Sequence, residues 1–163
     1  MNNITLIAAV GKNRELGKNN QLIWSVPEDL KFFRENTLNK TIVMGINTFN
    51  SLPKLLPNRR HVVLSHKKVD LDSSVLVFYD LDELLKYINT LDEEVMIIGG
   101  GMMYKQMIGY ANKMILTEID DTCDADVYFP EYSIDDWDME ILSEHECDGL
   151  KYRHIIYTRK EIN

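Results

Sequence analysis

The sequence predicts an α/β protein: a central, mainly parallel twisted sheet of about eight strands with an antiparallel C-terminal hairpin, flanked by about four helices. Three observations carry this expectation. Short continuous apolar runs alternate with helical patterns along the chain, as expected of strands covered on both faces. Two of those runs end in glycine just before a helical pattern, at Gly45 and at Gly99-Gly100-Gly101. The C-terminal segment instead holds two strand patterns split by Asp148-Gly149, a hairpin turn.

The elements follow in order. Residues 4–10 read as a buried strand, and 27–36 as a helix opened by Pro27, whose missing N–H costs nothing in a first turn. Residues 41–45 form the second strand and 47–52 a short helix. Strands at 61–64 and 75–78 precede a helix at 81–88, with Asp80 as N-cap and Glu83 three residues on. A strand at 94–98 runs through the glycines into a helix at 102–108. Strands at 113–119, 139–146 and 152–159 complete the sheet, and strand–helix alternation implies right-handed crossovers.

Length bounds the organisation. A chain of 163 residues buries roughly 70% of its unfolded surface and needs no staples, so residues 1–163 read as one domain. Cys123 and Cys147 are the only cysteines and lack metal-ligand spacing, which points away from a metal site or a disulfide framework and toward a reducing, cytoplasmic setting. No apolar run approaches the ~18 residues of a membrane span, and the run at 4–10 has no basic leader. Net charge is −8, divided as +7 over residues 1–68 and −15 over the remainder. That balance, without a Lys/Arg run, disfavours nucleic acid and allows a local basic basin for an anionic ligand.

Four segments hold candidate chemistry. In Pro27-Glu28-Asp29-Leu30-Lys31-Phe32-Phe33, Asp29 sits at a helix start beside Leu30 and four residues before Phe33. An acid so placed either grips a cationic or amidine-like group or simply complements the helix N-terminus. Ile97-Ile98-Gly99-Gly100-Gly101 offers bare backbone N–H groups for a pyrophosphate, or only a tight connection, since Tyr104 stands where a full GxGxxG has its last glycine. Met44-Gly45-Ile46-Asn47-Thr48 is again a strand end, with Asn47 as donor or ordinary cap. Leu56-Pro57-Asn58-Arg59-Arg60 sets two guanidinium groups on a turn, suited to a carboxylate or merely solvated.

The order and spacing of these pieces resemble bacterial dihydrofolate reductases from end to end. Leu6-Ile7-Ala8-Ala9, Leu16-Gly17, Leu22-Ile23-Trp24, Pro27-Glu28-Asp29-Leu30, Met44-Gly45 with Thr48-Phe49, and Leu56-Pro57-Asn58-Arg59 carry the resemblance. Ile98-Gly99-Gly100-Gly101 with Tyr104, Thr117, and Asp126 with Phe129-Pro130 extend it. It implies reduction of 7,8-dihydrofolate to tetrahydrofolate by hydride from NADPH in one-carbon metabolism, by a cytoplasmic monomer whose partners are the small-molecule substrate and antifolate inhibitors. Asp29, Trp24, Thr117 and Tyr104 are the implied catalytic set. Ile7, Ala8, Leu30, Phe33, Leu52, Leu56 and Ile98 would wall the substrate pocket, Asp29 and Thr117 would bind the pterin edge, and Arg59 with Arg34 would take the glutamate carboxylate. The cofactor would lie along Ala9, Leu16, Gly17 and Leu22, over Asn47 and Thr48, past Leu64, Ser65, His66 and Lys67. It would then cross Gly99, Gly100, Gly101, Met102, Met103 and Tyr104. The family's two central glycines, here Gly99 and Gly100, are joined by a cis peptide, and residues 11–23 would form a closing loop.

Two departures matter. Ile46 stands where the family usually has an arginine for the 2′-phosphate, which leaves the preference for NADPH over NADH open and NADH not excluded, and His66, Lys67 and Lys68 are candidates to replace the charge. Ile23 replaces the proline usual before the loop tryptophan. A riboflavin-pathway reductase of the same fold and a non-catalytic nucleotide-binding module are the alternatives. Asp29 with Arg59 argues against the first, and the retained Trp24, Tyr104 and Thr117 against the second.

Overall fold

Strand geometry sends successive side chains to opposite faces, so a strand apolar at every position can feed two separate cores. The computed structural model, which describes residues 3–18, 21–22 and 27–161, shows this at each central strand. Its elements are β1 (Asn3–Val10), β2 (Glu15–Lys18), β3 (Gln21–Leu22), α1 (Pro27–Thr37), β4 (Thr41–Gly45), α2 (Ile46–Ser51), β5 (Arg60–Leu64) and β6 (Leu76–Phe78). There follow α3 (Leu81–Asn89), β7 (Glu94–Gly99), α4 (Gly101–Met107), β8 (Lys113–Ile119), β9 (Val127–Tyr128), β10 (Trp137–Cys147) and β11 (Leu150–Arg159). Eight strands form the main sheet in the order β10-β11-β8-β1-β7-β4-β5-β6. β8, β1, β7, β4, β5 and β6 run parallel, whereas β11 pairs antiparallel with both β8 and β10.

The two faces hold different cores. On one, Leu6, Val43, Ile97 and Leu116 pack with Leu84 and Ile88 of α3 and Met103 and Met107 of α4. On the other, Ile7, Met44, Met96 and Ile115 pack with Phe32 and Phe33 of α1 and Phe49 of α2. Burying each such side chain contributes about 1.5–3 kcal/mol, so the order of the sheet is fixed from both sides.

The expected strands and helices are present, with ends displaced by a residue or two. α2 begins at Ile46 rather than Asn47: its N-cap is Gly45, which makes no side-chain cap bond. Asp80 does cap α3, accepting from the backbone N–H of Asp82. A second sheet, ordered β3-β2-β9, lies outside the sequence expectation. Its strands are two to four residues long, too short to show a hydropathy period. Buried Glu15 anchors it by accepting from the N–H groups of Asn13 and Cys123.

Candidate active site

Three strands and one helix assemble the acid. Ala9 of β1, Thr117 of β8 and His154 of β11 stand in register across the sheet, beneath the first turn of α1, where Asp29 lies. The Thr117 hydroxyl donates to Asp29 Oδ1, and His154 Nε2 lies 3.4 Å from the same oxygen. The His154 ring stacks on Phe32 with centroids 3.7 Å apart and planes 3° apart. Asp29 keeps 24% of its side chain exposed, so one edge of the carboxylate faces outward while the other is held from below.

One stripe of α1 organises the pocket. Asp29, Phe33 and Thr37 recur at four-residue spacing and share a helix face. Thr37 Oγ donates to the Phe33 carbonyl and accepts from Arg59 Nε at 2.9 Å. Eight residues at about 1.5 Å rise set Thr37 about 12 Å along the axis from Asp29. Acid and guanidinium thus mark the two ends of an apolar stretch containing Ile7, Phe33, Leu52, Leu56 and Ile98. Burial, then the neighbouring Arg34 charge, lowers the pKa of Arg59 from its ordinary value. Both effects disfavour the cation, so an incoming carboxylate relieves them.

His61 holds that turn. Its Nε2 accepts from the Leu56 N–H at 3.1 Å, and its Nδ1–H faces the Arg59 carbonyl at 3.1 Å. Burial lowers its pKa, keeping the ring neutral and able to accept. Sequence reasoning passed over His61 and Phe32, since a histidine opening a strand and a second aromatic in a helix carry no distinguishing pattern.

The remaining candidates gather at the carboxyl ends of the parallel strands. β7, β4 and β5 are adjacent, so Gly99, Gly45 and Leu64 end side by side. Gly99 and Gly100 are joined by a cis peptide, and Gly99 has φ 134°. A Cβ on either would come 3.3 Å from Thr48 Oγ1, so this turn stays bare only as glycine, leaving a cradle of backbone beside α2. At Gly101 a Cβ would meet Val127 Cγ1 at 2.5 Å. Ser65 donates its hydroxyl to the Lys67 carbonyl at 2.6 Å, shaping a turn from which His66, Lys67 and Lys68 project exposed. Asn47 and Met102 are exposed as well, Met102 at 65%.

Several side chains expected at the ligand are themselves part of a packed core or an exposed surface. Ala8, Leu16, Leu64, Met103 and Tyr104 belong to the core under α3 and α4. Strand alternation separates Ala8 from Ile7, and only the backbone of Ala8 is offered to the pocket side. The buried Tyr104 hydroxyl donates to the Ile7 carbonyl at 2.6 Å, and burial pushes its pKa up, so this phenol ties α4 to β1 as a neutral donor. Leu30 is 60% exposed and lies outside the apolar cluster. Ile46 packs against that cluster. Gly17 pairs with β9 and β3. Leu22 lies in β3 with its side chain outside the description, and Trp24 lies outside the described residues.

Fold and site together define an α/β protein of the class that holds ligands at the carboxyl edge of a parallel sheet. A family model described as dihydrofolate reductase matches residues 3–159. Dihydrofolate reductase from Haemophilus influenzae is 35% identical over 159 residues, 96% of this chain and 98% of that protein. The dihydrofolate reductase of Buchnera aphidicola from Acyrthosiphon pisum is 41% identical over 133 residues, 81% of each. A solved structure of dihydrofolate reductase from Enterococcus faecalis, complexed with NADP(H) and RAB-propyl, matches with a TM-score of 0.88 at 29% identity, covering 98% of this chain and 97% of that one. The chain belongs to the dihydrofolate reductase family.

Proposed function

We propose that this protein reduces 7,8-dihydrofolate to 5,6,7,8-tetrahydrofolate with NADPH. The observation that carries this reading is the single stripe of α1, with Asp29 at one end, Phe33 between, and Thr37, about 12 Å along the axis, holding Arg59. A pterin with an amidine-like edge, an aromatic linker and a terminal carboxylate needs that order of groups.

The outward oxygen of Asp29 binds the pterin amino and N3 positions, and Thr117 fixes the inward one. Ile7, Phe33, Leu52, Leu56 and Ile98 surround the rings and exclude water, and Arg59, flanked by Arg34, takes the glutamate α-carboxylate. Because Asp29 is committed to the amino edge, water carries the proton to N5, and the carboxylate's negative charge favours the protonated pterin. The bare Gly99-Gly100 turn beside Thr48 suits the approach of a pyrophosphate. NADPH, when bound, supplies the hydride to pterin C6. Ile46 leaves the 2′-phosphate without an arginine, and the exposed His66, Lys67 and Lys68 after β5 are placed to supply that charge.

The chain works as one domain, a reading supported by two separate cores packing on one sheet, and it acts in the cytoplasm as a monomer. Among the described residues no helix is long and apolar enough to cross a membrane.

The test is loss of reduced-nicotinamide absorbance with dihydrofolate, repeated for Asp29→Asn. Wild-type turnover favouring NADPH, cut at least about 100-fold in the variant, is the expected result. Turnover that survives Asp29→Asn removes Asp29 from the mechanism, and absence of turnover in the wild type rejects the reading.

A further inference from the structure

The mechanism above gives His154 no task, yet among the described residues its Nε2 is the only buried side-chain nitrogen or oxygen without a hydrogen bond. That atom faces Asp29 Oδ1 at 3.4 Å. The other ring nitrogen, Nδ1, lies 3.2 Å from Ser143 Oγ, which is in turn 2.8 Å from His145 Nε2. His145 Nδ1 stands 3.5 Å from Glu28 Oε2, with a third of the histidine side chain exposed. His145 also lines a cavity of about 890 Å³ between the end of β1 and the C-terminal hairpin, a cavity that does not include Asp29. A continuous line of polar groups therefore runs from solvent to the inner face of the Asp29 carboxylate.

With a proton held on His145 Nδ1 by the Glu28 carboxylate, this line has two arrangements, because a serine hydroxyl donates once. With His145 protonated, its Nδ1–H faces Glu28 and its Nε2–H donates to Ser143. Ser143 then donates to His154 Nδ1, and the His154 proton sits on Nε2, aimed at Asp29. With His145 neutral, its remaining proton stays on Nδ1 toward Glu28, so Nε2 must accept. Ser143 turns to donate to it, His154 carries its proton on Nδ1, and a lone pair faces the carboxylate.

We propose that His154 is a positioning residue for Asp29: with its proton on Nε2 it holds Oδ1 and leaves Oδ2 for the ligand, and His145, acting through Ser143, decides where that proton sits. The proposal rests on the dihydrofolate reading for the identity of the ligand. Titratable groups around the line are Glu28 and Asp29 on α1, His145 on β10 and Tyr152 on β11. The cavity that His145 lines also carries Glu118 of β8, Asp120 just beyond it, Glu144 and Glu146 of β10, and Lys151 and Arg153 of β11. The Tyr152 hydroxyl donates to Glu28 Oε2 at 2.6 Å and stays a donor, its pKa raised by burial and then by Glu28. The long His154–Asp29 contact is of the kind that tightens when a ligand fixes the carboxylate.

Two measurements on the intact protein test this. Long-range proton–nitrogen NMR of the histidine rings over a pH series should show His154 protonated on Nε2 while His145 carries both ring protons and on Nδ1 once it carries one. Ser143→Ala should abolish that dependence. In turnover, the wild-type KM for dihydrofolate should rise about tenfold between those two states while Ser143→Ala lacks the step. His154→Phe, which preserves the stack on Phe32, should show the high KM at every pH with kcat less affected, and His154→Gln should recover part of the loss by restoring a donor. A ring protonated on Nδ1 throughout, or His154→Phe with wild-type KM and pH profile, overturns the proposal. A wild type that reduces no dihydrofolate rejects the functional reading instead, and the ring spectra still decide the tautomer.

Discussion

The Thr117 hydroxyl donates to Asp29 Oδ1, joining the sixth strand of the parallel set to a helix 88 positions earlier in the chain. This bond decides which carboxylate oxygen remains for a ligand. Thr117→Val keeps the shape and removes the donor, at a cost of about 1.5–3 kcal/mol for a hydrogen bond to a charged group. KM for dihydrofolate should rise about tenfold or more. Wild-type kinetics in Thr117→Val would remove the bond from substrate binding.

Cofactor preference is a separate matter of charge. His66 and Lys67 leave the end of β5 exposed, next to the β4–α2 junction where Ile46 offers no charge. Replacing both with Ala should raise KM for NADPH several-fold, as expected for a lost charge-assisted contact, and leave KM for NADH unchanged. Equal effects on the two cofactors would place the phosphate elsewhere.

Gly101 is required by proximity to the second sheet. Its missing Cβ would lie 2.5 Å from Val127 Cγ1, and valine clears that atom only by leaving its χ1 rotamer or by shifting β9. Gly101→Ala should destabilise by about 1–3 kcal/mol through overpacking. In the double variant Gly101→Ala, Val127→Ala the two changes should couple, restoring part of the loss in urea unfolding. Simple additivity would show that the close approach is not the cause.

Stability toward acid should depend on Glu94. Lys40 Nζ reaches its Oε1 at 2.5 Å, Thr5 donates to Oε2 at 2.7 Å, and Lys113 Nζ lies 3.7 Å away. Burial pushes the Glu94 carboxyl up, but these partners outweigh it and the net shift is downward. A folded-state pKa below the unfolded value of about 4.3 gives stability that is present above that pH and lost as pH falls through the folded value. Glu94→Gln should lower stability near neutrality and flatten its decline below about pH 4, measured by urea unfolding across a pH series. An unchanged slope would assign the acid response to other carboxylates.

What the sequence determined by itself was the order and kind of elements and the identity of the strongest candidates. Apolar runs and helix signals are local, so β1, β4, β5, β7 and β8 were legible, as were the helix carrying Asp29 and the glycines at Gly99 to Gly101. Ordered motifs over the whole chain also sufficed to suggest the family. Tertiary structure decided the rest, because register and face depend on which strands become neighbours. Only the pairing of β1, β8 and β11 brings Thr117 and His154 under Asp29. The two-residue period of a strand sends Ala8 away from Ile7, a separation invisible where both faces are buried. β2, β3 and β9 are too short to announce themselves and exist through mutual pairing and buried Glu15. The line from His145 through Ser143 to His154 joins residues of a hairpin that looked like an ordinary sheet edge, and only its packing against α1 gives it a carboxylate to meet.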